Sequence, residues 1–399
     1  MAGKNGIDVS RYTNKEELTF DVEFITPAFL GGADGNAEIR TAPFKSLLRR
    51  WWRIVNGNLS PEELWKKESE LFGSTEKDMA SGKIFGKSKV VLKIIDYSVE
   101  FQKTRQLRFA DKAIKHPEVK KPIEFEVYLG MGPVFWNKDL EKSEYKFLPI
   151  LEYLPESKFF DSSSKTEKIN PERHSRISFS LAVPKTEKDC FLKILTYINY
   201  FGTIGSRSRN GWGSVIIKNI VLNGAEAQEL LSVKDIKESA TDWQELINKN
   251  CVKRYPSAIA KDEKGLLCWR TPQRDSWDRA MFDAAELYSK VRTYFKFDKN
   301  EDILQERYLL GYPVTHHKYA KWSVKNVRLP SELCIKIYFY QGKYNAQITH
   351  IPNLIPLTGF SVEEQKHIWK KVHDFFDAYQ ILNDKDEKKH LSRFGGLAK

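Results

Sequence analysis

Cysteine is scarce in this 399-residue chain: Cys190, Cys251, Cys268 and Cys334 are widely spaced, form no CxxC pair and make no Cys/His cluster at zinc-finger spacing. That excludes a disulfide-stapled scaffold and a cysteine-built metal centre, and reduced thiols in a cytoplasmic protein are expected. Long apolar runs are also lacking. No stretch reaches the roughly 18 apolar residues that span a bilayer, and the opening MAGKNGIDVSRYTNKEELTF has no apolar signal core. A soluble protein without a membrane partner is expected. Acidic residues are the minority charge, 53 against 65 Lys and Arg, which leaves +12 shared between both halves of the chain and favours a polyanionic partner. Hydrophobic residues (41%) and aromatics (13%) suffice for two or three globular domains of about 150 residues.

What is present reads as an ordered series. Leu18 to Phe24 (LTFDVEF) alternates as a half-buried strand, then comes the glycine-rich turn TPAFLGGADGNAEI. Pro43 suits a first helical turn, and Phe44, Leu47, Leu48, Trp51 and Val55 form one apolar stripe. Strands are predicted at Lys89–Asp96, Glu124–Leu129, Arg176–Val183 and Val215–Leu222, with a helix over Glu187–Phe201. The order βαββαβ, with an insertion at about 98–175, predicts an α+β fold. Its four-stranded antiparallel sheet has an open face of the kind that binds single-stranded RNA. Residues 223–249 read as a charged helical connector. Beyond it lie a strand at Leu266–Arg270, a helix over Ser276–Tyr294 and a hairpin from Leu333 to Ile351 turning at Gln341-Gly342. A last helix starts at Ser361, whose capping box closes on Glu364, and runs to about Leu382. Two domains are expected, 1–222 and 223–399.

Several motifs carry chemistry. Lys45, Arg49 and Arg53 recur every four residues along one helix edge, about 6 Å per step, near the phosphate spacing of an extended strand. Arg50 and Trp52 adjoin them. Adjacent Trp51 and Trp52 cannot share a face, so one of them is expected at the rim; the plainer reading is a solvated basic face with the tryptophans in the core. In FGTIGSRSRNGWGSV, Gly202, Gly205, Gly211 and Gly213 interleave with Arg207, Arg209, Asn210 and Trp212, combining close backbone approach, phosphate contacts and a stacking surface. The loop lacks the Gly-Lys-Ser/Thr of a phosphate-cradling NTPase loop, and its alternative is a tight helix-to-strand turn. His174, with Arg173 and Arg176 close by, has the form of a ribonuclease acid or base, although such a histidine near a strand entry is more often merely a surface residue. Adjacent His316 and His317 make a poor metal pair, and Asp34 reads as a turn former beside Gly31 and Gly32. KYAKW adds Lys318, Tyr319, Lys321 and Trp322 as a second basic, aromatic segment. No metal or cofactor is expected.

FITPAFLGGAD followed by EIRTAPFKSLLRRWWR, ELFGS before SGKIFGKSKVVL, and FGTIGSRSRNGWGSV together resemble the RAMP proteins of CRISPR systems. Within them the likeness is to the family of subunit one of the Cmr (type III-B) RNA-targeting effector complex. These motifs cover residues 20–222; LGYPV, with Gly311, and the strands after it look like a second unit. The resemblance implies two ferredoxin-like RAMP domains in tandem, in a non-catalytic subunit near the CRISPR RNA 3′ end that contacts target RNA. Its implied partners are CRISPR RNA, target RNA, a neighbouring RAMP subunit and the repeated backbone subunit, to which the family assigns target cutting. The expected RNA-binding set is Arg40, Lys45, Arg49, Arg50, Trp52, Arg53, Arg176, Arg207, Arg209, Asn210, Trp212, Lys318 and Lys321. Competing expectations are a metal-independent RAMP endoribonuclease acting through His174 and a scaffold that touches no RNA. The long insertion and the polar C-terminal tail depart from the family pattern.

Overall fold

Alternation along Lys15–Phe24 builds β1, which lies inside an antiparallel sheet. The computed structural model describes residues 14–77, 82, 84–109, 112–151, 175–226, 232–250, 258–298, 300–314, 317–352, 359–383 and 387–394. After β1 come α1 (Thr41–Val55), α2 (Pro61–Phe72), β2 (Val91–Ser98), β3 (Arg176–Pro184), α3 (Lys188–Phe201) and β4 (Val215–Leu222). The strands are ordered β4-β1-β3-β2, with Ala225–Glu226 added outside β4. Leu18, Phe20, Val22 and Phe24 of β1, with Ile177, Phe179, Leu181 and Val183 of β3, make the face that the helices cover. Helix α2 interrupts the expected order. Ser60 caps it by accepting from the Glu63 N–H, Glu63 returns the bond, and Pro61 fills the first position.

One expected strand is a helix. Phe125–Gly130 folds as a helical turn because Phe125 and Leu129, four residues apart, are both fully buried, while Glu126 accepts from the Tyr145 hydroxyl at 2.6 Å. Tertiary packing there overrides the strand propensity of EFEVYL. The insertion also carries a hairpin, Val134–Asn137 with Lys142–Tyr145.

The second half repeats the first in plan. It runs β5 (Cys268–Arg270), α4 (Trp277–Tyr294), β6 (Leu333–Tyr340), β7 (Lys343–His350), α5 (Val362–Ala378) and β8 (Ser392–Arg393). Its strand order, β6-β7-β5-β8, places last, first, third and second strands side by side, as the first sheet does. The β6–β7 hairpin turns on Gln341 (φ 49°) and Gly342 (φ 75°), where it was expected. The expected Leu266–Arg270 strand is split, since Gly265–Leu266 pairs with Ala260–Asp262 instead. Helix α5 stops at Ala378, short of 382, because Gln380–Leu382 turns extended to pair with Lys388–His390.

The insertion packs onto the second half. Phe109 stands edge-on to Trp277 at 5.4 Å, Lys112 pairs with Asp278, and Arg307 Nη1 donates to both oxygens of Glu118 at 2.7 and 2.8 Å. The halves are also joined directly. Ile335 N–H donates to the Arg209 carbonyl at 2.7 Å, and Ile337 N–H donates to Ser214 Oγ at 2.9 Å. The buried Lys336 ammonium donates to the carbonyls of Ile198, Asn199 and Val215 at 3.0, 2.6 and 2.6 Å, satisfying the end of α3. Among the described residues no helix is long and apolar enough to cross a membrane.

Candidate nucleic-acid interface

Helix α1 lies on the sheet between α2 and α3, and that position decides the fate of its tryptophans. Trp51 packs on Tyr197 and Phe201 of α3, each at 6.1 Å, while Trp52 meets Phe72 of α2 edge-on at 6.1 Å. Both are buried, at 1% and 2% exposure. The expectation that one sits at the rim is thus corrected: the helix has two covered sides, and Trp52 offers no face to a base. The basic edge is tied as well. Arg49 and Arg53 converge on the buried Glu68 of α2, Arg53 with Nε and Nη2 each at 2.6 Å. Arg50 reaches Cys334 Sγ across the junction at 3.7 Å, and Arg40 donates to the Gly31 carbonyl. Lys45 is half-buried, and burial together with the Arg49 charge lowers its pKa. The guanidiniums of Arg49 and Arg53 keep outer edges in solvent, with side chains 40% and 47% exposed.

The glycine loop between α3 and β4 is a tight turn sealed by the second half. Trp212 is fully buried, its ring 5.1 Å from Phe29. Asn210 Nδ2 donates to the Leu129 carbonyl at 2.9 Å and Arg209 Nη1 to the Ser331 carbonyl at 3.0 Å, so both are engaged inside the protein while staying partly exposed. Gly213 has φ 63°, and a Cβ there would stand 1.9 Å from the Ile204 carbonyl oxygen. Only Arg207 of this loop's expected binding side chains is exposed.

The open face of the first sheet, expected to receive RNA, carries acidic side chains along β1. Alternation places Glu17, Asp21 and Glu23 there. Asp21 accepts from Ser178 Oγ and Asn219 Nδ2, each at 2.6 Å, and Glu23 pairs with Lys218 at 2.7 Å. Arg176 is held by Asp96 at 3.0 Å and Asp21 at 3.6 Å. Carboxylates along β1 repel a phosphate backbone, and Arg176 and Lys218 beside them are already paired, while Lys93 on β2 stays exposed.

In KYAKW, Tyr319 and Trp322 are buried in a small aromatic cluster, while Lys318 and Lys321 project from it together with Lys325 and Arg328. His317 stacks on Phe297 at 3.9 Å, whereas His316, Arg173 and His174 lie outside the described residues. Asp34 does form a turn: its two oxygens accept from Asn36 N–H at 2.9 Å and Asn36 Nδ2 at 2.7 Å, and these bonds lower its pKa. Among the described residues no three His, Cys, Asp or Glu side chains converge to hold a metal.

Sequence reasoning passed over the insertion. The turn after β1 is stitched to it by Ala37 N–H to the Leu148 carbonyl and Leu148 N–H to Asn36 Oδ1, both 2.9 Å. Beside this seam lies an open cleft of about 780 Å³ whose walls include Arg105, Trp136 and Lys146. The signal available for it was the GGADGN turn, which needs something to close against.

Residues 21–216 match the model of the RAMP superfamily. A curated relative, CRISPR system Cmr subunit Cmr1-2 of Pyrococcus furiosus, is 40% identical over 63 residues, 15% of this chain and 34% of that protein. The match therefore spans about a third of that relative's length. The crystal structure of Cmr1 from Pyrococcus furiosus in its apo form is similar at TM-score 0.41 and 14% identity, over 87% of this chain and 92% of that one. A chain in the cryo-EM structure of the type III-B Cmr-beta bound to cognate target RNA is similar at TM-score 0.41 and 14% identity, over 90% and 99%. The matched residues take in β2, β3 and the three helices of the first half with parts of β1 and β4, so this part of the chain is similar to the RAMP superfamily, and the chain resembles the Cmr1 subunits.

Proposed function

We propose that this chain is a non-catalytic, RNA-binding subunit of a type III-B CRISPR (Cmr) effector complex, built of two ferredoxin-like units in tandem, 1–222 and 223–399. It lies near the 3′ end of the CRISPR RNA, contacts target RNA, and adjoins a neighbouring RAMP subunit and the repeated backbone subunit. The observation that carries this reading is the RAMP-superfamily match over residues 21–216, which takes in most of the first sheet and its helices. The recurrence of the same strand order in the second half supports the tandem arrangement. Binding without cleavage requires cations and stacking surfaces held on a rigid frame. The described surface offers Arg207, Lys318 and Lys321 exposed, with Arg49 and Arg53 partly so.

A salt titration of CRISPR RNA binding in EDTA tests it. Log K should fall with log salt, by about 0.7 per phosphate contact for single strands, and the RNA should stay intact. A flat response removes the RNA-binding role and leaves a scaffold. Cleavage that is lost in His174→Ala replaces the binder with an endoribonuclease.

A further inference from the structure

We propose that the cleft between the Gly31–Asn36 turn and the insertion hairpin seats one unpaired nucleotide of single-stranded RNA, its base on Trp136 and its phosphate among Arg105, Lys146 and Arg207. The proposal rests on the RNA-binding reading and places its grip on side chains outside the α1 helix edge.

Trp136 is the first observation. Of the ten tryptophans, eight are buried and Trp65 is half-buried against Phe85, whereas Trp136 stands 55% exposed with no ring partner among the described residues. A large π-face left in water at the wall of a cleft is what a base requires. The hairpin that carries it is tied down: Trp136 pairs with Ser143 in the ladder, Tyr145 N–H donates to the Arg105 carbonyl at 2.8 Å and Lys146 N–H to the Pro133 carbonyl at 2.7 Å.

Charge is the second. Arg105 and Lys146 line the cleft, and neither meets a carboxylate among the described residues. Arg207 reaches the same wall from the glycine loop. A Cβ added at Gly132, another lining residue, would stand 3.1 Å from Arg207 Nη2, so the guanidinium lies over that glycine, and it too meets no carboxylate among the described residues. Arg207 holds φ 58°, a region where glycine or asparagine is usual. The lining's one carboxylate, Asp34, is turned onto Asn36 through both oxygens.

Shape is the third. Gly35 has φ 87°, and its Cβ would come within 2.2 Å of the Phe147 ring, so the turn is pressed flat against the cleft floor. The volume of about 780 Å³ falls within the range of small-ligand clefts and exceeds what one nucleotide fills. An exposed aromatic face beside three uncompensated cations matches a ligand with both a π-face and a negative charge. An apolar protein segment would leave those charges unanswered. A base in a duplex has no free face to offer, so the strand is single.

The test is anisotropy of fluorescein-labelled oligouridine with the full-length chain across a salt series. Trp136→Ala should weaken binding about tenfold, the loss of one stacked base, and Trp136→Phe should recover most of it. Arg207→Gly suits the backbone at that position and removes only the guanidinium; it should lower the salt slope by about 0.7. Lys318→Ala/Lys321→Ala, outside the cleft, should leave the tenfold Trp136 effect intact. Free UMP should compete poorly. If UMP displaces the strand at equal concentration, the cleft takes a mononucleotide and the strand proposal is overturned. Tight wild-type binding that neither Trp136→Ala nor Arg207→Gly alters overturns the cleft while the RNA-binding reading stands. No wild-type binding at any salt overturns both.

Discussion

Trp212 and Trp136 stand in similar sequence company, among glycines with arginine or lysine close by, and end in opposite places. Trp212 is fully buried, with Arg209 and Asn210 beside it hydrogen-bonded to Ser331 and Leu129. Trp136 is 55% exposed, and the cations nearest its cleft have no carboxylate partner among the described residues. The difference lies in what arrives later in the chain. Strand β6 lays Ile335 and Ile337 against the glycine loop, and nothing comparable closes over the insertion hairpin among the described residues. A run of glycine, arginine and tryptophan therefore sets a capability, and the neighbouring element decides whether it serves the core or a ligand.

The most direct way to break the comparison is to truncate both rings. Trp212→Ala opens a cavity where two halves meet and should cost about 3–5 kcal/mol in urea unfolding, the usual range for a fully buried tryptophan. Trp136→Ala should change stability by no more than about 0.5 kcal/mol, as surface substitutions do. Comparable losses from the two variants would mean that the hairpin is as deeply packed as the loop, and the contrast would be gone.

A second difference is chemical. Behind the sealed loop lies a buried relay: Glu332 Oε2 is 3.0 Å from His350 Nε2, and His350 Nδ1 is 2.8 Å from His373 Nε2. Burial drives both imidazoles to low pKa, His373 down to about 3, with the charges of Arg393, Lys370 and Lys264 adding to it. With both rings neutral, each N–H in the row can donate toward Glu332. Above pH 6.5 neither the folded nor the unfolded state takes up a proton there. Below it the unfolded chain binds protons that the folded state refuses, so stability falls as pH drops toward the folded value. At about 1.4 kcal/mol per pH unit, His373 alone should remove about 2 kcal/mol between pH 6.5 and 5. Urea unfolding at the two pH values measures it, and His373→Gln should flatten part of the slope. Among the described residues no histidine lines the cleft, so cleft binding should hold until the fold itself weakens. Acid loss of RNA affinity with the fold intact would contradict that separation.

Much of this architecture is legible in the residues. The alternation of LTFDVEF and RISFSLAV gives β1 and β3, the Phe44–Trp51 stripe gives α1, and the Ser361/Glu364 box marks the start of α5. What periodicity cannot supply is the identity of the covering element. A 3.6-residue stripe buries one side of a helix, and Trp52 is buried by α2, a separate helix that the stripe does not announce. The Ser60-Pro61 start with Glu63 is itself a readable signal for α2. Likewise Arg49 and Arg53 look free until the fold brings Glu68 beneath them, and EFEVYL looks extended until Phe125 and Leu129 are given a common core. The candidate cleft was least legible. Its walls come from residues 34, 105, 131, 132, 134–136 and 146–147, with Arg207 over Gly132, and no local spacing connects them.

The smallest expected effect separates strain from ligand binding at Arg207. An L-residue at φ 58° carries about 1 kcal/mol of backbone strain, which glycine relieves, while glycine also loosens the unfolded chain by about 0.5–1 kcal/mol. The two contributions oppose each other, so Arg207→Gly should leave stability within about 0.5 kcal/mol of wild type by urea unfolding. A loss of 2 kcal/mol or more would show that the guanidinium lying over Gly132 braces the loop against the insertion. Arg207 would then belong with Arg209 on the sealed side of the comparison, and the cleft would keep two cations, Arg105 and Lys146.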